Sequence, residues 1–181
     1  DSMIYVLIPH GSAGQFASLE SRLLSDGDYP GMAADCLDAA HDSPAYSRME
    51  RMMLKGFDAF PNLGLPELKG PRSDRVYELR SYESATEVLA GKKVEMFNKG
   101  EAGIFIRLGF QPVFFGELVS GSGMPRLLYM TTHENEAEQK EHWGAFVKDQ
   151  LWEKMKVDPY YANTVSHIDK FMLFPTEYSD Y

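Results

Sequence analysis

The sequence is poor in cysteine, in positive charge and in long apolar runs, and each scarcity excludes a class of protein. Cys36 is the only cysteine among 181 residues, so no disulfide can form within the chain. A lone thiol slightly favours a reducing compartment such as the cytoplasm. No apolar run approaches the roughly 20 residues that a membrane-spanning helix needs. We therefore expect no membrane span and a soluble protein held together by packing.

The charge balance excludes a second class of partner. Eighteen lysines and arginines oppose 27 aspartates and glutamates, which gives a formal net charge of -9 at pH 7. A nucleic-acid surface needs clustered positive charge to release counterions from phosphates, so nucleic acid is excluded as a partner. The hydrophobic fraction of 44% is typical of a chain with a packed core.

The first 60 residues predict an incomplete folding unit. Residues 3–8 are almost continuously apolar and β-prone, which predicts a strand. Ser12 and Gln15 have the spacing of a capping box for a helix over 14–24. A second helical stretch near 32–40 and a strand within "RMERMMLKGF" would complete a βαβ unit. Residues 61–74, which are rich in proline and glycine, are interpreted as a linker or a long wrapped connection.

Residues 75–181 predict a complete unit. The strand "RVYELRSYE" is followed by Ser84 and Glu87 at capping-box spacing and by a helix over 93–108. The strands "QPVFFGELV" and "RLLYMTTHE" flank the turn "SGSGMP". A helix over 135–148 then continues for a turn or two, and "HIDKFMLFP" ends the unit as a strand. The order βαββαβ predicts a ferredoxin-like α+β fold, with both helices on one side of an antiparallel four-stranded sheet.

An internal repeat connects the two parts. "IYVLI", a helix, "DSPAY" and "RMMLKGFDAFP" parallel "LYMTT", a helix, "DPYY" and "KFMLFP". The first part matches only the last βαβ of the second, so a complete first copy would need a strand, a helix and a strand before Asp1. We interpret the chain as a processed or trimmed piece of a longer protein. Two alternatives stay open: another chain supplies the missing strands, or the similarity is generic to βαβ units.

Several segments resemble the NIPSNAP family, in family order: "RVYELRSYES", "KKVEMFNKGEAGIF", "LGFQPVFFGELVSGSGMPRLLYMTT", "HWGAF" and "FMLFPTEYS". The resemblance implies a bacterial-type tandem-domain member built as a dimeric or pseudo-dimeric α+β barrel, in which two ferredoxin-like sheets face each other. It also implies a homo-oligomer, or association with an upstream fragment that completes the first domain. The family has no settled catalytic residue set. Where it usually has an Asp-Pro-acid-Trp turn, this chain has Asp149-Gln150-Leu151-Trp152, which predicts a less sharply broken helix.

The strand over 76–82 carries the first candidate site residues. Glu78, Arg80 and Tyr82 share one face with Val76, and Tyr77, Leu79 and Ser81 share the other. If the helices cover Tyr77 and Leu79, then Glu78 and Arg80 point into the space between the two sheets, where a ligand would lie. The alternatives are a solvated face or a cross-strand ion pair.

Glu101 is the second candidate. It projects near the centre of an apolar helix face, where a carboxylate is costly to bury without a partner. Arg80, Tyr129 and Asn98 are its expected partners. A partnered structural acid is favoured over an acid/base or ligand-binding role, although Gly100 and Gly103 weaken the helix prediction at this point.

The ligand-binding candidates are completed by His133, which shares a strand face with Tyr129. The full set is Glu78, Arg80, Tyr82, Asn98, Glu101, Tyr129 and His133. The five histidines lack the spacing of metal ligands, so the sequence predicts neither a metal site nor a cofactor. No residue is identified as catalytic.

Two functional hypotheses follow. In the first, a small molecule binds in the barrel between sheets and helices, with an oxygenase-like or isomerase-like activity as an extension. The alternative is a protein-interaction module, in which the barrel and the acidic surface serve assembly or partner docking without catalysis. The first requires an enclosed pocket with convergent polar groups. The second predicts a packed interior and an exposed apolar patch.

Overall fold

The computed structural model describes residues 3–180 and divides the chain into two compact units, one ending at Met53 and one beginning at Leu54. This division lies seven residues before the boundary at residue 60 that the sequence suggested. The helices of the first unit are α1 (Ala13–Ala17), α2 (Leu19–Leu24), α3 (Tyr29–Met32) and α4 (Ala34–Leu37). The helices of the second are α5 (Glu87–Met96), α6 (Ala102–Arg107), α7 (Glu136–Phe146) and α8 (Gln150–Met155). The strands are β1 (Met53–Gly56), β2 (Val76–Glu83), β3 (Pro112–Ser120), β4 (Arg126–His133) and β5 (His167–Leu173).

The first unit is helical near both predicted stretches, but each is divided into two short helices, and the first predicted strand is not formed. The Ser12 hydroxyl accepts a hydrogen bond from the Gln15 N–H at 3.3 Å, and the Gln15 side chain accepts one from Gly11 at 2.7 Å. This arrangement starts the first helix where the capping box predicted. The prediction of a strand over residues 3–8 is wrong, because no strand begins before Met53 in the described part of the chain. Apolar β-prone residues form a strand only where a neighbouring strand pairs with them, and the composition of the segment cannot supply that neighbour.

The second unit has the predicted ferredoxin-like topology. Its strands lie in the order β3-β4-β2-β5, with antiparallel pairing throughout, and β1 adds a fifth strand beside β3. The βαββαβ order places β2 in the middle of the sheet between β4 and β5. Within residues 3–180, no helix combines the length and the apolar character needed to cross a bilayer.

The helix caps differ from two sequence predictions. Helix α5 begins after Thr86, whose hydroxyl accepts from the Leu89 N–H at 3.3 Å, whereas the Ser84 hydroxyl donates to the Thr164 carbonyl at 2.6 Å. Helices α7 and α8 are separate elements despite the missing proline. The Asp149 carboxylate accepts from the N–H groups of Leu151 and Trp152, so an aspartate N-cap is sufficient to start α8 there.

A π-helical turn over Phe97–Glu101 joins α5 to α6, so the two helices form one continuous helical segment. A Cβ atom at Gly100 would lie 2.8 Å from the Met155 sulfur and 3.1 Å from a Leu151 methyl group. Glycine therefore lets the wide turn press against α8. The helix does not end at either glycine that weakened its prediction: Gly100 lies in the π-helical turn, where the pitch changes, and Gly103 lies within α6.

The aromatic core lies between the sheet and the helices. Phe105 is its centre and contacts the rings of Phe97 and Phe110 from the helix side and those of Phe115 and Tyr129 on the sheet. On β2, it is Glu78, Arg80 and Tyr82 that face the helices, since Arg80 lies over Trp143 of α7 and Tyr82 packs against Phe97.

The condition that the helices cover Tyr77 and Leu79 is not met, so Glu78 and Arg80 face α7 rather than a space between two sheets. Residues on both faces of β2 are buried. Alternation alone therefore could not tell which face meets the helices.

Candidate functional site

The first feature of the site is a charge pair on β2. The Arg80 Nε donates to Glu78 Oε1 at 2.6 Å, and both side chains are buried. The second carboxylate oxygen, Glu78 Oε2, accepts from the Gln139 amide at 2.8 Å and from the Trp143 indole at 2.6 Å. The guanidinium also stacks 3.6 Å from the centre of the Trp143 ring. The pair therefore runs along one strand and is completed by α7, rather than crossing between strands.

The environment keeps Glu78 ionised. Burial acts to raise the pKa of the Glu78 carboxyl. The hydrogen bond from Gln139, the charge of Arg80 and the hydrogen bond from Trp143 together outweigh burial, so the pKa lies below its usual value.

Two tyrosines continue this polar row across the sheet. Arg80 Nη1 donates to the Tyr82 hydroxyl at 3.3 Å, and the Tyr82 and Tyr129 hydroxyls are 2.7 Å apart. Arg80 and Tyr129 are cross-strand neighbours in the β2–β4 register, which explains why the row crosses at this point. Burial raises the pKa of both phenols, so each is a neutral hydrogen-bond donor.

Glu101 has a structural partner, as the favoured interpretation expected, but the partner is Lys93 rather than Arg80, Tyr129 or Asn98. The Lys93 Nζ lies 2.6 Å from Glu101 Oε2, and both side chains are buried. One α-helical turn contains about 3.6 residues, and one π-helical turn contains about one residue more. Two residues separated by one turn of each kind are therefore about eight positions apart. The π-helical turn therefore brings residues 93 and 101 onto the same face.

The Lys93–Glu101 pair has few other polar neighbours. The rings of Tyr82, Phe97 and Trp152 lie 5.0–5.6 Å from the Lys93 ammonium. Burial is the largest influence on Glu101 and raises the pKa of its carboxyl despite the attraction of Lys93.

Asn98 does not join the cluster. Its side-chain oxygen accepts a hydrogen bond from the Ala59 N–H at 2.9 Å, near the protein surface. Asn98 therefore fixes the turn that follows β1. The structure brings together Glu78, Arg80, Tyr82 and Tyr129 directly, with His133 on the same face of β4 as Tyr129. Lys93, the partner of Glu101, has its ammonium 5.6 Å from the Tyr82 ring.

His133 belongs to a group that sequence reasoning missed. Its Nδ1 lies 3.0 Å from the Nδ1 of His142 on α7, and its Nε2 lies 3.4 Å from the Thr131 hydroxyl. Glu138 precedes His142 by one helical turn, and its Oε1 is 4.0 Å from His142 Nε2. The four-residue spacing of Glu138 and His142 was a visible signal, but the third member lies on a strand that only the fold brings near.

Burial and the adjacent His142 lower the pKa of His133 to about 4. The Phe110 ring packs against both imidazoles at 5.3 Å and forms the apolar wall of this corner. His133 is therefore a neutral imidazole at pH 7. His133 itself is buried, but the neighbouring His142 and Glu138 side chains are 14% and 32% exposed. This end of the polar row is therefore close to the surface.

Two cavities lie on the surface of the second unit, and neither is lined by the predicted residues. One, of about 570 Å³, opens beside Arg107, Asp149 and Lys154. The other, of about 310 Å³, lies beside Phe60, Leu65 and Ile106. The candidate residues instead form a packed layer between sheet and helices. We call Glu78, Arg80, Tyr82, Tyr129 and His133 the polar layer.

Comparisons with known proteins agree with this architecture. Solved structures with the same fold include a NIPSNAP-like domain protein from Burkholderia xenovorans, at 11% identity and a TM-score of 0.53, covering 59% of this chain and 90% of that one. They also include a NIPSNAP family protein of unknown function from Agrobacterium tumefaciens, at 12% identity and a TM-score of 0.53, covering 62% and 98%. A comparison with curated proteins gave no significant match. The model of the NIPSNAP family matches residues 77–180, more than half of the sequence. The chain therefore belongs to the NIPSNAP family.

Proposed function

We propose that this domain binds a small organic molecule at the polar layer. The observation that supports the proposal is the convergence of five residues, chosen from the sequence as ligand candidates, on one buried surface between β2, β4 and α7. Apolar residues of similar volume would fill this space at no greater cost, because burying ion pairs carries a large desolvation penalty. The presence of charges and phenols in this buried layer therefore supports a role in recognition.

The chemistry of the layer limits what it would bind. Arg80 is already neutralised by Glu78, so a strong anion gains little at this site. The neutral phenols of Tyr82 and Tyr129 suit a carbonyl or hydroxyl group, and the surrounding aromatic rings suit an apolar body. Neither of the two cavities described above is lined by the polar layer, so the enclosed pocket that this function requires would open only when side chains of α7 are displaced. An oxygenase-like or isomerase-like activity would use the same residues.

The test is native mass spectrometry of the protein as purified, together with thermal shifts against a panel of carbonyl and hydroxyl compounds. We expect a retained or stabilising compound with the wild type and its loss in Arg80→Met, checked for folding by circular dichroism. Lys140→Met is the matched control, because Lys140 is an exposed cation on the same helix as Trp143. A folded Arg80→Met variant with unchanged retention overturns the proposal, as does a wild type that neither retains nor responds to any compound.

One observation supports the alternative, an assembly module. The strand β5 lies at the edge of the sheet, and Ile168 and Met172 on it and Phe174 after it are 41%, 44% and 63% exposed. An open edge can pair with another strand, and the same edge on a second copy of the chain can do so about a two-fold axis. Sedimentation should then show a dimer that Met172→Lys dissociates and Lys140→Met does not. A monomeric wild type at micromolar concentration contradicts this candidate.

A further inference from the structure

We infer that His133, Glu138 and His142 form a binding site for a divalent transition-metal ion. One donor atom from each residue lies within 4.8 Å of the other two. His133 comes from the end of β4, and Glu138 and His142 stand one turn apart on α7. This inference goes beyond the proposed function, since it concerns the surface end of the polar layer and needs no organic ligand.

The two imidazoles are already at a separation that suits a shared ion. Their Nδ1 atoms are 3.0 Å apart, and two nitrogens at this separation can both lie about 2.0–2.1 Å from one ion, with an angle of about 90° between them. In the metal-free state the same two atoms share one proton. An ion would replace that proton, so neither ring has to move far to bind it.

Glu138 can complete the set by a change of side-chain rotamer. Its Oε2 accepts a hydrogen bond from the Glu134 N–H at 2.6 Å, while Oε1 lies 4.0 Å from His142 Nε2 rather than from the Nδ1 that would bind the ion. The carboxylate is thus held at one oxygen, and the other has to turn to reach an ion shared by the two Nδ1 atoms. Its partial exposure gives the ion a path from solvent.

Further contacts fix the imidazoles from behind. Binding of a metal at Nδ1 leaves the Nε2 of His133 protonated, and this atom faces the Thr131 hydroxyl at 3.4 Å. Such outer hydrogen bonds set the tautomer and orientation of histidine ligands. The Phe110 ring restrains both imidazoles on one side. The positive charge of Arg80 does not oppose an ion here, because Glu78 pairs with it.

The donor set selects the kind of ion. Two imidazoles and one carboxylate suit Zn²⁺, Fe²⁺, Co²⁺ or Ni²⁺, whereas Mg²⁺ and Ca²⁺ prefer oxygen ligands alone. Three protein ligands leave at least one coordination position open. Such a site could hold water or an oxygen atom of a small molecule.

The probe is Co²⁺, whose visible absorption reports coordination, added to full-length protein that has been treated with a chelator and dialysed. Zn²⁺ competition and isothermal titration calorimetry give affinity and stoichiometry. We expect one ion per chain and a visible band. His142→Ala should weaken binding by more than the roughly 10–100-fold loss that follows removal of a second-shell partner. Glu138→Gln should weaken it less than this but by at least about tenfold, because the amide oxygen can still coordinate but carries no charge.

The controls make the outcome decisive. His167→Ala should leave binding unchanged, because His167 is exposed and pairs with Asp169 on β5. Arg80→Met should also retain the ion, which separates this inference from the proposed organic ligand. The inference is overturned if the wild type binds no Co²⁺ or Zn²⁺, or if binding survives both His142→Ala and Glu138→Gln in folded variants.

Discussion

Two ion pairs are buried in the second unit of this protein, and the pKa values of their carboxyl groups are shifted in opposite directions. Glu78 pairs with Arg80 and also accepts hydrogen bonds from Gln139 and Trp143, and the pKa of its carboxyl is lowered. Glu101 pairs with Lys93 alone at a similar distance, and the pKa of its carboxyl is raised. Both side chains are about 1% exposed, but protein atoms surround the Glu101 carboxyl more completely, so a greater desolvation adds to its smaller number of donors.

The difference teaches that a neighbouring cation alone does not compensate a buried carboxylate. Several hydrogen-bond donors aimed at both oxygens replace the lost water shell of Glu78, whereas Lys93 replaces only part of it for Glu101. The Glu78 pair should therefore tolerate the loss of its cation better than the Glu101 pair does.

The largest expected effect comes from Lys93→Met. It leaves Glu101 buried without a partner, and we expect a loss of about 3–5 kcal/mol in the free energy of unfolding at pH 7. The double variant Lys93→Met with Glu101→Leu should regain most of this loss. Urea denaturation measures both, and Lys140→Met, which breaks the exposed pair with Glu136, should change stability by less than about 0.5 kcal/mol.

Arg80→Met should cost less, roughly 2–3 kcal/mol, because Gln139 and Trp143 still donate to Glu78. The same denaturation experiment gives the value. A loss in the free energy of unfolding equal to that of Lys93→Met would contradict this expectation. It would mean that Gln139 and Trp143 contribute nothing to Glu78 once the cation is removed.

Tyr82→Phe should cost about 1–1.5 kcal/mol, because its hydroxyl joins Arg80 to Tyr129 and its removal leaves the Tyr129 hydroxyl without this partner. Tyr160→Phe is the control. The Tyr160 hydroxyl donates to Glu95 at the surface, and we expect no measurable change in thermal stability from its removal. Equal effects of the two substitutions would contradict a special role for the buried row.

The smallest expected effect is in the acid dependence of stability. Because the folded pKa of Glu78 lies below the ordinary value of 4.5, the unfolded chain binds its proton first as the pH falls. The contribution of Glu78 is therefore present above pH 4.5 and is lost as the pH falls through the folded pKa. We expect the free energies of unfolding of the wild type and Glu78→Gln, measured as a function of pH, to converge below that range. A difference between them that does not change with pH would show that Glu78 is not preferentially ionised in the folded protein.

Much of the second unit could be predicted from its sequence. The strands β2, β3, β4 and β5 lie within about two residues of their predicted limits, because each is a run of β-prone residues bounded by turn residues or caps. The sequence also grouped most of the candidate residues. Alternation along β2 places Glu78, Arg80 and Tyr82 on one face of that strand, and alternation along β4 places Tyr129 and His133 on one face of the neighbouring strand.

The partners of these residues could not be predicted in the same way. Lys93 lies eight positions from Glu101, and no ordinary helical spacing brings such residues together. The sequence also could not tell which face of β2 contacts the helices. Both faces of the strand are buried, so neither is marked by its residues as the solvent-exposed face. The His133–His142 contact joins a strand to a helix, so it depends on how α7 packs rather than on any local pattern.

The wide turn between α5 and α6 constrains the length of this segment as well as its composition. Ala90, Lys93 and Phe97 are buried on one side of the turn, and Glu101, Ile104 and Phe105 continue the same buried stripe on the other. A π-turn holds about one residue more than an α-turn, so deleting one residue between Phe97 and Glu101 would leave an ordinary α-helix with Ile104 and Phe105 still facing the sheet. Adding one residue would instead rotate everything beyond it by about 100°. Ile104 and Phe105 would then leave the sheet although neither had been altered. A single deletion in this turn should therefore be better tolerated than a single insertion.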